Sequence, residues 1–141
     1  MYGYVKVGSA VPKLRVADCV YNKEEILKLV EAAAAKQVRV LSFPELSVTG
    51  YTCADLFFQA PLLHAAEQAI QEIAEATEAL NIFLLIGAPI AVDNQMFNCA
   101  VALYKGKLLG IVPKTHIPNY SEFYEERWFA SADDLLTEEI T

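Results

Sequence analysis

The sequence predicts an α/β fold, a mixed sheet with helices on one face, and three observations carry that prediction. Two short apolar runs, 38–43 and 82–86, fit strands buried on both sides. Two longer segments, 23–36 and 61–80, repeat their apolar residues at helical spacing. Beyond residue 92 the pattern changes to paired segments joined by tight-turn residues, so antiparallel pairing follows an early alternation of strand and helix.

In chain order, Tyr2, Tyr4, Val5 and Val7 among small residues predict a first strand over 2–10, and Pro12 loosens the chain after it. Asn22 with Glu25 three positions on matches a capping box and predicts a helix from Lys23 to Lys36, with Ile26, Leu29, Val30 and Ala33 on one face. The strand Val38–Phe43 comes next. Pro44 ends it by removing a ladder donor. Residues 52–58 are irregular and aromatic, and Pro61 suits the first turn of a second helix reaching about Leu80. That helix sets Leu62, Ala66, Ala69, Ile70 and Ile73 against Glu67, Gln71, Glu72, Glu75 and Glu78, a solvated acidic face. Ile82–Ile86 reads as a buried strand ended by Gly87 and Pro89. Val92–Gln95 reads as a turn, Met96–Tyr104 as a strand, Lys105-Gly106 as a hairpin turn and Lys107–Val112 as its partner strand. No internal repeat or domain boundary is visible, and 141 residues suit one core.

Composition narrows the function. The chain carries 11 Lys and Arg against 18 Asp and Glu, a net charge of −7, and no basic cluster, which argues against nucleic-acid binding. No apolar run approaches the roughly 20 residues that span a bilayer, and the first residues lack a secretory pattern, so a cytoplasmic protein is expected. Cys19, Cys53 and Cys99 have neither disulfide-framework nor metal-ligand spacing and are read as reduced thiols, with no metal site. His64 and His116 stand alone and receive no role.

The chemistry points to two charged mounts. Glu45 follows the apolar strand and Pro44, and Lys114 follows the hairpin strand and Pro113: apolar run, proline, single charge, twice. If both strands lie in one sheet and point the same way, both side chains leave at one edge, where helix-flanked sheets gather their ligands. A carboxylate that moves protons beside an ammonium that steadies an oxyanion suits carboxamide chemistry. A purely structural ion pair has the same spacing, and both readings stay open at this point. The stretch 115–129 is dense in aromatics and packs over either the body of the domain or a ligand.

Phe43-Pro44-Glu45-Leu46-Ser47-Val48-Thr49-Gly50-Tyr51 with Asp55-Leu56-Phe57, then Pro113-Lys114-Thr115-His116-Ile117-Pro118-Asn119-Tyr120 and Phe123-Tyr124-Glu125-Glu126-Arg127-Trp128-Phe129, resemble the nitrilase, or carbon–nitrogen hydrolase, superfamily. Within it the chain most resembles the amino-terminal glutaminase domain of glutamine-dependent NAD(+) synthetases. The resemblance implies part of the nitrilase-type α-β-β-α sandwich, with Glu45 as general base and Lys114 as oxyanion stabiliser for a nucleophilic cysteine. It implies L-glutamine as substrate, Tyr120 and Tyr51 as substrate-binding residues and Glu125 as a support for the lysine.

The family nucleophile falls beyond the Lys114 loop, and no cysteine follows Cys99. Residues 1–141 are therefore expected to be the first portion of such a domain, without a nucleophile, inactive alone and without the synthetase domain that would use ATP and magnesium. No cofactor is expected within these residues. The high apolar fraction of 55% fits a half-sandwich with an uncovered sheet face, and self-association into a homo-oligomer is expected. Two other readings remain, a different amidase or carbamoylase of the superfamily and a binding module without chemistry.

Overall fold

The computed structural model describes residues 3–137 and 139. Its elements run β1 (Val7–Ser9), α1 (Cys19–Ala35), β2 (Val40–Ser42), a 3-10 turn (Ala54–Phe58), α2 (Ala60–Ala76), β3 (Phe83–Val92), β4 (Gln95–Tyr104) and β5 (Lys107–Pro113). One sheet holds all five strands in sequence order, with β1, β2 and β3 parallel and β4 and β5 antiparallel additions. Two reversals restore the direction, so β5 points the same way as β2. The successive parallel crossovers through α1 and α2 progress in one direction across the sheet. With the usual right-handed crossover, both helices lie on one face.

That face is closed. Leu41, Leu84, Ile86, Ala88, Val101, Leu103 and Phe97 meet Ile26 and Val30 of α1 and Ala66, Ile70 and Ile73 of α2 in one apolar cluster. On the opposite face, the register rows put Val7 beside Val40 and Ala100 beside Val112, and Val7 and Val112 are largely exposed. One face is a core and the other is open.

The elements differ from the sequence expectation where local signals compete. The first strand is shorter than 2–10, although Lys6 O and Ala10 N continue its bonding to Arg39 N and Ser42 O at 2.8 and 2.9 Å. Tyr2 lies outside the described residues. Helix α1 starts four residues early, capped by Asp18, whose carboxylate accepts from Tyr21 N at 3.0 Å. Asn22 is therefore no cap. It is fully buried, donates to Arg15 O and Val48 O at 2.8 and 2.9 Å and accepts from Arg15 N at 2.8 Å. Helix α2 stops at Ala76, where the buried Thr77 hydroxyl donates to Ile73 O at 2.8 Å.

Strand β3 runs on through Gly87 and Pro89 to Val92 instead of ending at Ile86. The reason is directional. Phe83 N donates to Arg39 O at 2.8 Å, and Leu85 O and Gly87 O accept from Phe43 N and Val48 N at 2.9 and 3.1 Å. Odd residues of β3 thus turn their backbone groups toward β2. At Pro89 β2 has already ended, so the missing N–H costs no ladder bond. The turns at 93–94 and 105–106 are as expected, each with two consecutive positive φ angles, 49° and 62° for Asp93 and Asn94 and 49° and 75° for Lys105 and Gly106.

Asn22 ties the 15–18 connection to the turn after β2 from inside the core. Asn22→Ala should lower unfolding free energy by about 2–4 kcal/mol, because buried backbone groups lose their partners. Urea denaturation at unchanged m-value measures it, and a loss below about 1 kcal/mol would mean the two segments are held together by other means.

Candidate active site

The loop after β2 is pressed onto the sheet. Gly87 makes this possible: a Cβ there would overlap the Pro44 carbonyl oxygen and the Leu46 nitrogen and lie 2.8 Å from the Glu45 carbonyl carbon. Leu46 takes a positive φ of 50°, costly for a branched side chain, and the surroundings enforce it. Its side chain is fully buried, and its carbonyl accepts from Gly50 N at 2.7 Å. Val48 N and the Ser47 hydroxyl both reach Gly87 O, at 3.1 and 3.4 Å, and Asn22 holds Val48 O. Glu45 therefore leaves a rigid turn.

Lys114 follows β5 at the same edge, with its N–H on Asn98 O at 2.8 Å. Its ammonium lies 2.8 Å from Glu45 Oε1 and 3.1 Å from Glu125 Oε2. The Tyr51 hydroxyl donates to Glu125 Oε1 at 2.6 Å. Four of the five residues singled out from the sequence, Glu45, Tyr51, Lys114 and Glu125, form one connected cluster. Tyr120 does not join it: its ring is largely exposed and packs edge-on against Phe123 at 5.9 Å between centroids.

The two carboxylates differ. The Glu125 side chain is only 4% exposed and both its oxygens are engaged, whereas the Glu45 side chain is 47% exposed and engages Lys114 through one oxygen. Partial burial pulls the Lys114 pKa down, but hydrogen bonds and charge from Glu45 and Glu125 outweigh it and leave it raised. Burial first, then the bond to Glu125, raises the Tyr51 pKa. An ammonium with two acceptors engaged keeps one N–H for an incoming oxygen.

A latch at the rim fixes Glu125. Arg127 grips Asp55 through two bonds of 2.7 and 2.8 Å, and Trp128 Nε1 adds a third at 3.0 Å. Those bonds lower the Asp55 pKa to about 2. Phe57 packs against Phe129 and Trp128 at 5.0 and 6.0 Å, so this part of the aromatic stretch covers the domain body.

All three cysteines are buried. Burial pushes the Cys99 thiol up to about 12 and the Cys19 thiol up to about 11, and raises Cys53 as well. None of the three is activated as a nucleophile at neutral pH. Among the described residues no three His, Cys, Asp or Glu side chains gather to hold a metal ion, and no helix is long and apolar enough to cross a membrane. Sequence reasoning missed Gly87 and Asn22 as parts of the site: the first was read as a strand end and the second as a helix cap. Asn98, which lines the crevice beside Lys114, was also missed, and a polar residue inside an apolar strand was the available signal.

Comparison with known proteins places this geometry. A glutamine-dependent NAD(+) synthetase of Mycobacterium leprae is 36% identical over 132 residues, which is 94% of this chain and 19% of that protein. The crystal structure of a glutamine-dependent NAD(+) synthetase from Cytophaga hutchinsonii superposes with a TM-score of 0.85 at 30% identity, covering 90% of this chain and 22% of that one. An amidase from Nesterenkonia sp. shares the fold, with a TM-score of 0.70 at 21% identity over 87% of this chain and 47% of its own. The chain thus spans about a fifth of the length of the synthetases it matches. Residues 6–139 match the carbon–nitrogen hydrolase family, and with a nitrilase-type α/β fold that brings Glu45 and Lys114 together at one sheet edge, the chain belongs to that family.

Proposed function

We propose that this chain is part of the glutamine amidohydrolase unit of a glutamine-dependent NAD(+) synthetase. The observation that carries the reading is the 2.8 Å contact between a half-exposed Glu45 and a doubly bonded Lys114, in a chain similar to such synthetases along its length. Glu45, with an oxygen free of Lys114, is the proton carrier, and Glu125, saturated by Tyr51 and Lys114, is the support. A cysteine outside residues 1–141 is the nucleophile.

Glu45 takes the thiol proton as sulfur attacks the carboxamide carbon, and Lys114 steadies the oxyanion. As the C–N bond breaks, the proton passes to nitrogen and ammonia leaves a thioester. Water, losing its proton to Glu45, then gives glutamate and restores the thiol. Tyr51 and Tyr120 line the approach of glutamine, Tyr120 from a position that this arrangement does not yet bring to the cluster. ATP and magnesium act elsewhere in the parent protein, where released ammonia amidates deamido-NAD(+), and no step at Glu45 or Lys114 runs through them. The parent protein works in the cytoplasm.

In the protein that carries the nucleophile, Glu45→Gln should reduce kcat for ammonia release by about 10²–10⁴ and Lys114→Met by about 10²–10³, while glutamine still binds. Gly87→Ala, which displaces the Glu45 turn, should approach the Glu45→Gln loss without removing a functional group. The 141-residue chain alone should release no ammonia. Cysteine-dependent turnover by that chain, or near-normal kcat in Glu45→Gln, would overturn the assignment.

Lys114 and Tyr51 both have raised pKa values, so the stability they lend is full below their ordinary values near 10 and is lost as pH rises through the raised ones. Ultraviolet titration should show a late tyrosinate that disappears in Tyr51→Phe, with unfolding beginning in the same alkaline range. Identical titration curves for the two proteins would contradict this.

The open sheet face should bring copies of the isolated chain together. Light scattering over a concentration series should show rising mass, and a constant monomer mass would dispose of the homo-oligomer.

A further inference from the structure

Asn98 sits inside the apolar strand β4 and is 2% exposed. Its Nδ2 is the single buried side-chain nitrogen or oxygen without a hydrogen-bond partner among the described residues. The register sets Asn98 opposite Pro89 of β3 on one side, and its carbonyl accepts from Lys114 N on the other. Alternation along β4 puts its side chain on the open face, the face of Ala100 and Gly87 rather than that of Cys99 and Val101. There it lines a crevice of about 300 Å³ together with Glu45, Lys114, Gly87 and Val112.

A buried N–H without an acceptor destabilises a fold, and a strand position of this kind would pack better with Leu or Val. A donor kept at such a place marks an acceptor that comes from outside the fold. The crevice walls are otherwise mostly apolar, from Phe43, Pro44, Leu85 and Ile86, and the only charges on it are the Lys114 ammonium and the Glu45 carboxylate, paired with each other at the rim. A neutral carbonyl oxygen suits those surroundings. A second cation does not.

We propose that Asn98 Nδ2 donates a hydrogen bond to an amide carbonyl oxygen delivered to the crevice beside Lys114, making Asn98 a binding residue of the site. The inference rests on the hydrolase reading of Glu45 and Lys114. Two sources can supply that oxygen, the carboxamide of the substrate or a backbone carbonyl of polypeptide packed over the open sheet face.

The test follows the Asn98 side-chain amide by NMR in the nitrogen-15-labelled chain, which needs no turnover. If the substrate is the source, acetamide and L-glutamine shift that resonance and glutamate does not, and Asn98→Leu raises KM for glutamine about tenfold in the nucleophile-bearing protein with a smaller effect on kcat. If polypeptide is the source, small amides leave the resonance in place, while the nucleophile-bearing protein protects the Nδ2 protons from exchange and Asn98→Leu weakens that protein's assembly. In both cases Asn98→Leu raises the urea midpoint of the 141-residue chain. A resonance that neither amides nor the longer protein alters, or a lowered midpoint in Asn98→Leu, overturns the proposal. Failure of the hydrolase reading appears separately, as ammonia release that survives Glu45→Gln.

Discussion

The ammonium of Lys114 between two carboxylates is the contact on which the rest of this structure depends. A partly buried Lys is tolerable only with close acceptors, and here they come from two separate segments, the turn after β2 and the loop after β5. The strand directions make this possible. Because β4 and β5 reverse the chain twice, β5 ends at the same edge as β2, and two residues far apart in sequence leave side by side. A single extra or missing strand in that hairpin would send Lys114 to the opposite edge.

Bringing the two charges together also needs the Glu45 turn held down against the sheet. That is achieved by subtraction at Gly87 and by strain at Leu46. The bare glycine lets backbone lie directly on backbone, and a branched residue with positive φ turns the chain sharply enough to follow it. Such a turn persists because its carbonyls and amides are used several times over, by Gly87 O, by Gly50 N and by the buried Asn22 amide. The Arg127–Asp55 latch does the same for Glu125 from the other side, although its members are exposed and its benefit is positional more than energetic.

Much of this was legible in the sequence because the signals were local and repeated. The apolar run, proline and charge at 38–45 and again at 107–114 announced both mounts, and two turns with Asp-Asn and Lys-Gly fixed the late hairpins. What misled were residues whose meaning depends on a neighbour not visible in one dimension. Pro89 looks like a strand end until one knows that β2 stops short beside it. Asn22 looks like a cap because Asn serves either as a cap or as a buried clamp, and Asp18, four residues earlier, was equally able to start the helix. Glu125 stood among several carboxylates in 122–126, and only the family resemblance separated it from Glu122 and Glu126. Its near-complete burial is a tertiary fact.

The two faces of the sheet explain why the site is polar on one side only. The helix-side face is an ordinary apolar core, and every cysteine is withdrawn into buried surroundings where its thiol stays protonated. Beyond Gly87, which the Glu45 turn already covers, the open face carries the small residues Ala100 and Gly110, which leave room for another layer, and its polar groups gather at the carboxyl edge around Lys114 and Asn98. Under the proposed amide chemistry, a layer covering such a face would exclude water, and the carboxylate and ammonium would then act on an amide more strongly than a surface pair in water could. That is the physical reason for mounting them at the border between the closed half of the fold and the open one.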